Sequence, residues 1–332
     1  MTIRIRAFVT ACALVAVAAA QMAPAADAGP PRGVHLSFTR DSRTTATVTW
    51  LTDGTTIPNP VVEYGSTESL GAVEDATTQP APRVKAFVHT ATLGGLDPGQ
   101  TVYYRVGGTS GYSQVRSFHT APTDGAWSFV AIADMGTSSQ AVKTTQAIVA
   151  ENPDLVVHAG DLSYANGNDP VWDTWLDVIE PYASRIPYMT APGNHEYETF
   201  PKSWSSYLSR MSMPGNELWY GFDYANVHFT VLQSHDTAHN TQGTLDDMIT
   251  FAEQDLARAV ERRAAGEIDH IIVMQHHPLY GNQDGSVERQ RNPTWITLEE
   301  QWFHRYDIDL VIVGHNHHYE RSKPMVYGVP TT

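Results

Sequence analysis

The sequence predicts two folding units, a small all-β sandwich over residues 29–122 and an α/β region over 123–332, on three observations. The chain has 332 residues, enough for about two domains at roughly 150 residues each. Its apolar pattern alternates with a period of two as far as residue 120, then changes to short apolar runs separated by longer, partly amphipathic segments. Between the two patterns, Ala121-Pro122-Thr123-Asp124-Gly125 reads as a linker.

In the first unit Thr45-Ala46-Thr47-Val48-Thr49-Trp50 alternates, and strand-like runs follow at 61–64, 87–93 and 101–106. Asp53-Gly54 and Asp97-Pro98-Gly99 punctuate them as turns, the spacing of a small sandwich. In the second unit apolar strands are expected at 128–133, 154–159, 188–191, 270–275 and 310–313, and helices at 138–151, 172–184, 245–265 and 295–306. Runs at 220–223 and 228–232 form a hairpin around Ala225-Asn226. Alternating strands and helices imply an α/β sheet, and ligand sites in such sheets form beyond the strand ends.

Residues 1–28 read as an export signal: Arg4 and Arg6 precede an apolar run from Ala7 to Ala20, and the small residues Ala26 and Ala28 follow. That run is shorter than the roughly 20 residues of a spanning helix, so a secreted protein without membrane insertion is expected. The one cysteine, Cys12, lies inside the signal, which removes disulfides, cysteine catalysis and cysteine-bound zinc from the mature chain. A net charge of −15 argues against nucleic acid and anionic membranes as partners. With 42% hydrophobic residues the chain is globular.

Five clusters stand at or just past the expected strand ends: Asp134-Met135-Gly136, Gly160-Asp161-Leu162-Ser163-Tyr164, Gly193-Asn194-His195-Glu196, Gln275-His276, and Gly314-His315-Asn316-His317. Their oxygen and imidazole donors suit Fe, Zn or Mn, and seven such groups exceed what one ion takes. Two metals about 3.5–4 Å apart clamp a phosphoryl group and generate a hydroxide nucleophile, which points to phosphoester hydrolysis. Taken singly the residues have plainer readings: Gly160-Asp161 as a turn, Asp134 as a cap for the helix that follows, Tyr164 as a packed aromatic. The ordered set is what carries the metal reading.

In that order and spacing the motifs closely resemble the purple acid phosphatases, within the calcineurin-like metallophosphoesterases. The resemblance runs from about Pro31 to Arg321, and the first unit is similar to the fibronectin type III-like domains that precede some secreted hydrolases. It implies a four-layer αββα catalytic fold. It also implies that Asp134, Tyr164 and His317 hold Fe(III), that Asp161 bridges, and that Asn194, His276 and His315 hold a divalent Fe, Zn or Mn. His195 matches the position that contacts the phosphate or protonates the leaving group. The charges agree with a ferric ion, because two carboxylates and a tyrosinate total −3 and a phenol of pKa near 10 ionises only beside a strong positive charge.

Two departures bear on these expectations. Residues 278–286 hold no histidine where plant-type members have a pair, which leaves His277 and Asp284 as weaker candidates for the acid beside His195. The family also continues past Tyr319-Glu320-Arg321 with further strands, so a fragment is expected. His158, His228, His270 and His304 are expected to be structural or surface residues, whereas His235, His239 and His318 remain open to a place near the cleft. Glu320 and Arg321 are expected to orient the histidine loop. The activity implied is that of a secreted acid phosphatase acting on small phosphomonoesters. The alternatives are a phosphodiesterase on the same scaffold and a non-catalytic binding protein whose metal centre is structural.

Overall fold

The computed structural model describes residues 29–54, 59–109, 111–199, 202–235, 243–280 and 293–331. The expected export signal, His239 and Asp284 lie outside the described residues.

The first unit is a sandwich of two antiparallel sheets. One sheet orders β1 (Arg32–Ser37), β2 (Ala46–Asp53), β6 (Ala86–Leu93) and β5 (Thr77–Pro80). The other orders β4 (Ala72–Asp75), β3 (Val61–Gly65) and β7 (Thr101–Gly108), with β8 (Gly111–Tyr112) and β9 (Arg116–His119) both on β7. Val48, Trp50, Leu93, Tyr104 and Phe118 fill the space between them. Thr47 and Thr49, on the opposite face of β2 from Val48 and Trp50, are also fully buried. That face packs against the second unit, where Thr49 Oγ1 lies 3.0 Å from Ser212 Oγ and Ser37 Oγ donates to the Ser212 carbonyl at 2.5 Å.

The second unit has two sheets face to face. The first is the parallel set β10 (Phe129–Ile132), β11 (Leu155–Ala159), β12 (Tyr188–Ala191). Past it lie the short hairpin β13 (Glu198–Thr199) and β14 (Lys202–Ser203) and the one-turn helix α3 (Ser205–Arg210). The second sheet runs β15 (Tyr220–Tyr224), β16 (Val227–Val231), β17 (His270–Met274), β18 (Leu310–Ile312), antiparallel at its first pairing and parallel after it. Phe129 meets Phe229 edge to face between the sheets, with centroids 5.8 Å apart.

Helices cover the outer faces. α1 (Ser139–Glu151) packs on α2 (Asp169–Ala183), whose Trp175 lies against His158 and Tyr188 of the first sheet. On the other side α4 (Leu245–Ala264) packs on β16 and β17, and α5 (Pro293–Arg305) leads into β18. Thr244 and Asp247 form a reciprocal capping box at the start of α4, and Arg262 and Arg263 sit in its last turn, each end matching the helix dipole. The result is helix, sheet, sheet, helix, the αββα order expected. α2 starts at Asp169 rather than 172 because Asp169-Pro170 suits a first turn, where proline's missing N–H has no intrahelical partner.

α2 also contacts β1 and so joins the two units. The Gly33 amide donates to Glu180 Oε2 at 2.7 Å, Arg116 pairs with the same carboxylate, and the Tyr104 hydroxyl donates to the Ser184 carbonyl at 2.7 Å. Among the described residues no helix is long and apolar enough to cross a membrane.

Candidate metal centre

Asp134 follows β10, Asp161 follows β11, Asn194 follows β12, His276 follows β17 and His315 follows β18, so five loops from two sheets meet at one edge. The chain turns sharply to achieve this. Asp134, Asp161, Tyr164, His315 and His317 all have left-handed φ, between 50° and 74°, a region few non-glycine residues occupy. Glycine permits the closest approaches: a Cβ on Gly193 would lie 2.2 Å from Asp161 Oδ1, and one on Gly314 would lie 2.7 Å from Asp134 Oδ2.

The seven side chains singled out as ligands come together in two groups. In one, the Tyr164 hydroxyl donates to Asp134 Oδ1 at 3.1 Å and lies 2.8 Å from His317 Nε2, which is itself 3.4 Å from Asp134 Oδ1. In the other, Asn194 Oδ1 lies 3.2 Å from His276 Nε2 and 3.0 Å from His315 Nδ1, and those two nitrogens are 3.2 Å apart. Asp161 Oδ2 is 3.2 Å from His276 Nε2. Ligand atoms of Asp134, Asp161 and His276 fall within 4.8 Å of one another, which ties the groups into one centre.

The donor set fits cations. His276 Nδ1 lies 2.8 Å from the Ala159 carbonyl, which can only accept, so neutral His276 presents a bare Nε2 lone pair to the centre. That lone pair faces the Asn194 carbonyl oxygen and another imidazole nitrogen, an arrangement a positive ion between them would relieve. Burial, then the carboxylates of Asp134 and Asp161, push the Tyr164 phenol well above its ordinary range. Only a strong positive charge would reverse that and ionise it. Burial also works against the Asp161 carboxylate; with no cation present, the protonated form of His276 can donate from Nε2 to it, and that hydrogen bond and charge hold it below the usual range.

His195 stands beside the centre. Its ring lies 4.4 Å from that of Tyr164, its amide donates to Asp161 Oδ1 at 2.9 Å, and its Nδ1 donates to Asn166 Oδ1 at 2.6 Å. Nε2 is thereby left toward the cleft, 3.7 Å from Asp161 Oδ2. His277 is buried against His315, 4.4 Å between centroids, with its Nδ1 3.0 Å from Ser234 Oγ. His235 stacks on His277 and also contacts Tyr197. His158 lies beneath the centre with Nδ1 2.5 Å from the Tyr188 hydroxyl, and burial pushes it down to about 3. His228 sits in an ion network, His270 is exposed beside Asp309, and His304 packs on Tyr327.

Glu320 engages His318 of the histidine loop at 3.0 Å, in keeping with an orienting role, and Arg321 is exposed. The loops after β11 and β12 are steadied by Glu196, which sequence reasoning passed over within its own motif. Its buried carboxylate accepts from the amides of Asp161, Leu162 and Gly193 at 2.8–2.9 Å, linking the loops after β11 and β12. Burial and the adjacent Asp161 push it up to about 7. Asn166, the partner of His195, was also passed over, although Asn166-Gly167 is a turn signal.

Residues 128–319 match the calcineurin-like phosphoesterase family, and residues 31–120 match the purple acid phosphatase N-terminal domain. Purple acid phosphatase 21 of Arabidopsis thaliana is 31% identical over 312 residues, covering 89% of this chain and 67% of its own length. Acid phosphatase type 7 of Mus musculus is 30% identical over 320 residues, covering 89% and 71%. A purple acid phosphatase isolated from yellow lupin (Lupinus luteus) seeds superposes with a TM-score of 0.75 at 26% identity, covering 91% of this chain and 61% of that one. This chain thus spans about two thirds of the length of these relatives. By the family match over most of its second unit and by these relatives, the chain belongs to the calcineurin-like phosphoesterases and, within them, to the purple acid phosphatases.

Proposed function

We propose that the chain is a secreted binuclear-metal acid phosphatase that hydrolyses small phosphomonoesters. Fe(III) would be held by Asp134, Tyr164 and His317, and a divalent Fe, Zn or Mn by Asn194, His276 and His315, with Asp161 shared. The observation that carries this reading is the division of the seven side chains into two groups that meet at the Asp134, Asp161 and His276 donors. When bound, the two cations supply positive charge for the phosphoryl oxygens and lower the pKa of a water so that it can attack phosphorus at acid pH.

The chain's own residues do the rest. His195, in its imidazolium form and with Nδ1–H committed to Asn166, presents Nε2–H as the proton donor to the leaving oxygen and is left as the neutral imidazole. Glu196 fixes the Asp161 and Asn194 loops against each other, so the two halves keep their spacing. Residues 1–28 direct export.

The visible spectrum of aerobically purified, signal-cleaved protein tests the reading. A violet tyrosinate band that vanishes in Tyr164→Phe is expected, together with faster turnover of an aryl phosphomonoester than of the matching bis-aryl diester. Colourless protein would overturn the ferric assignment. Faster diester turnover would make the enzyme a phosphodiesterase, and a rate that only rises from pH 5 to 9 would overturn the acid optimum.

A further inference from the structure

His195 and Asn166 stand on different loops, and both loops are pinned a few residues further on by one side chain from the other folding unit. Arg83, in the turn between β5 and β6 of the sandwich, reaches across the domain boundary. Its Nη2 donates to Asp169 Oδ1 at 3.0 Å and to Ser206 Oγ at 2.6 Å, and lies 2.5 Å from Glu198 Oε1. Asp169 is three residues past Asn166, and Glu198 is three past His195.

Both carboxylates are almost fully buried. Glu198 Oε2 and Asp169 Oδ2 have no hydrogen bond, although Arg210 Nη2 is 3.8 Å from the latter. The oxygens that face Arg83 are therefore where these carboxylates find their donors, with Ser206 contributing its hydroxyl to Asp169 and its amide to Glu198. Arg83 itself has φ of 54°, so the turn holds a strained backbone where it extends this side chain.

We infer that Arg83 is a positioning residue for the leaving-group acid: by holding Asp169 and Glu198 together it sets the His195–Asn166 hydrogen bond, and the sandwich thereby takes part in catalysis. The inference rests on the phosphomonoesterase reading and goes beyond it, because it assigns a role to the first unit. Without Arg83 the buried Glu198 carboxylate loses its charged partner, Asp169 keeps only Arg210 at 3.8 Å, and the outer ends of the two loops part. His195 then loses its fixed direction, while the Glu196 clasp keeps the ligand-bearing ends of the two loops together.

Loss of a positioned acid shows in the choice of substrate. An alkyl phosphate such as glycerol 2-phosphate needs its leaving oxygen protonated, and 2,4-dinitrophenyl phosphate does not. In metal-loaded, signal-cleaved protein, Arg83→Ala is expected to lower kcat on the alkyl ester about ten-fold, with KM unchanged and turnover of the dinitrophenyl ester retained. Arg83→Lys, whose ammonium offers donors to the same acceptors, restores most of the loss. In a His195→Ala background, Arg83→Ala adds nothing further.

Equal loss on both esters, or none on the alkyl ester, overturns the inference. Amide hydrogen exchange over 164–170 and 194–198 judges it without any turnover: faster exchange in Arg83→Ala is expected, and unchanged exchange overturns it. Wild-type protein inactive on both esters would sink the phosphatase reading alone, and exchange would still decide the role of Arg83. Should Arg83→Ala fail to fold, Arg83→Gln, neutral but still a donor, is read in the same way.

Discussion

The two ends of the second sheet use the same residue types to opposite effect. At the end where β16 and β17 begin, His228 sits between Asp223 at 2.7 Å and Asp255 at 3.0 Å, Arg262 pairs with Asp223, and Thr230 donates to Asp255. Cations and anions there neutralise one another within the protein. At the opposite end, His276 and His315 face each other and a carbonyl oxygen, and the phenol of Tyr164 lies among carboxylates that keep it protonated. That end is incomplete without an external positive charge. A histidine beside an aspartate is structural where the protein supplies the balancing charges, and a candidate metal ligand where it leaves lone pairs turned toward one another.

Breaking the incomplete end has the largest expected effect. Asp161→Asn removes the carboxylate proposed to be shared, and the proposed phosphatase activity should fall by about a thousand-fold or more, with metal content by elemental analysis dropping below two ions per chain. Retention of both metals and of activity would place the bridge elsewhere. Glu196→Gln leaves every proposed ligand in place and weakens the clasp between the Asp161 and Asn194 loops. A loss of about 10- to 100-fold in metal affinity or turnover is expected, and wild-type values for both would make Glu196 a bystander.

Much of this contrast was legible in the sequence and part of it was not. Each of β10, β11, β12, β17 and β18 is a short apolar run followed within three residues by a Gly, Asp, Asn or His cluster, so the strand and the expected ligand after it are read together. β4 and β5 carry mostly polar, exposed residues with no apolar period to mark them, and were not anticipated. Glu196 and Asn166 act on amides and a ring brought close only by folding. The sequence marks His228 as structural or surface, but nothing in Tyr224-Ala225-Asn226-Val227-His228 announces an ion-network residue; only the pairing of Asp223 with His228 across the hairpin and the docking of α4 do so.

The self-neutralised end should answer in stability and leave the metal centre alone. Asp255→Ala deprives buried His228 of one partner, a change expected to cost about 3 kcal/mol in urea unfolding while leaving the visible band of the folded protein unaltered. Loss of the band in folded Asp255→Ala would mean that the two ends are coupled through β16 and β17.

The smallest expected effect is a slope with pH. Burial lowers the His228 pKa, but its hydrogen bonds to Asp223 and Asp255 outweigh that and raise it to about 9. A group whose folded pKa lies above its unfolded value of about 6.5 gives its full stabilisation below that value and loses it as pH rises toward 9. Asp223 behaves oppositely. Burial raises it, its hydrogen bonds from His228 and Arg262 bring it down to about 2, and its contribution fades as pH falls from about 4 toward 2. The network is therefore at full strength between about pH 4 and 6.5, which includes the acid range proposed for catalysis. Unfolding of metal-free protein at pH 6 and pH 9 takes ligand binding out of the balance, and comparison with His228→Gln cancels the other groups that titrate in this window, Glu196 among them. Wild type should lose more stability than His228→Gln between those two values, and parallel losses would show that His228 is neutral in the folded protein and that the end balances its charges without it.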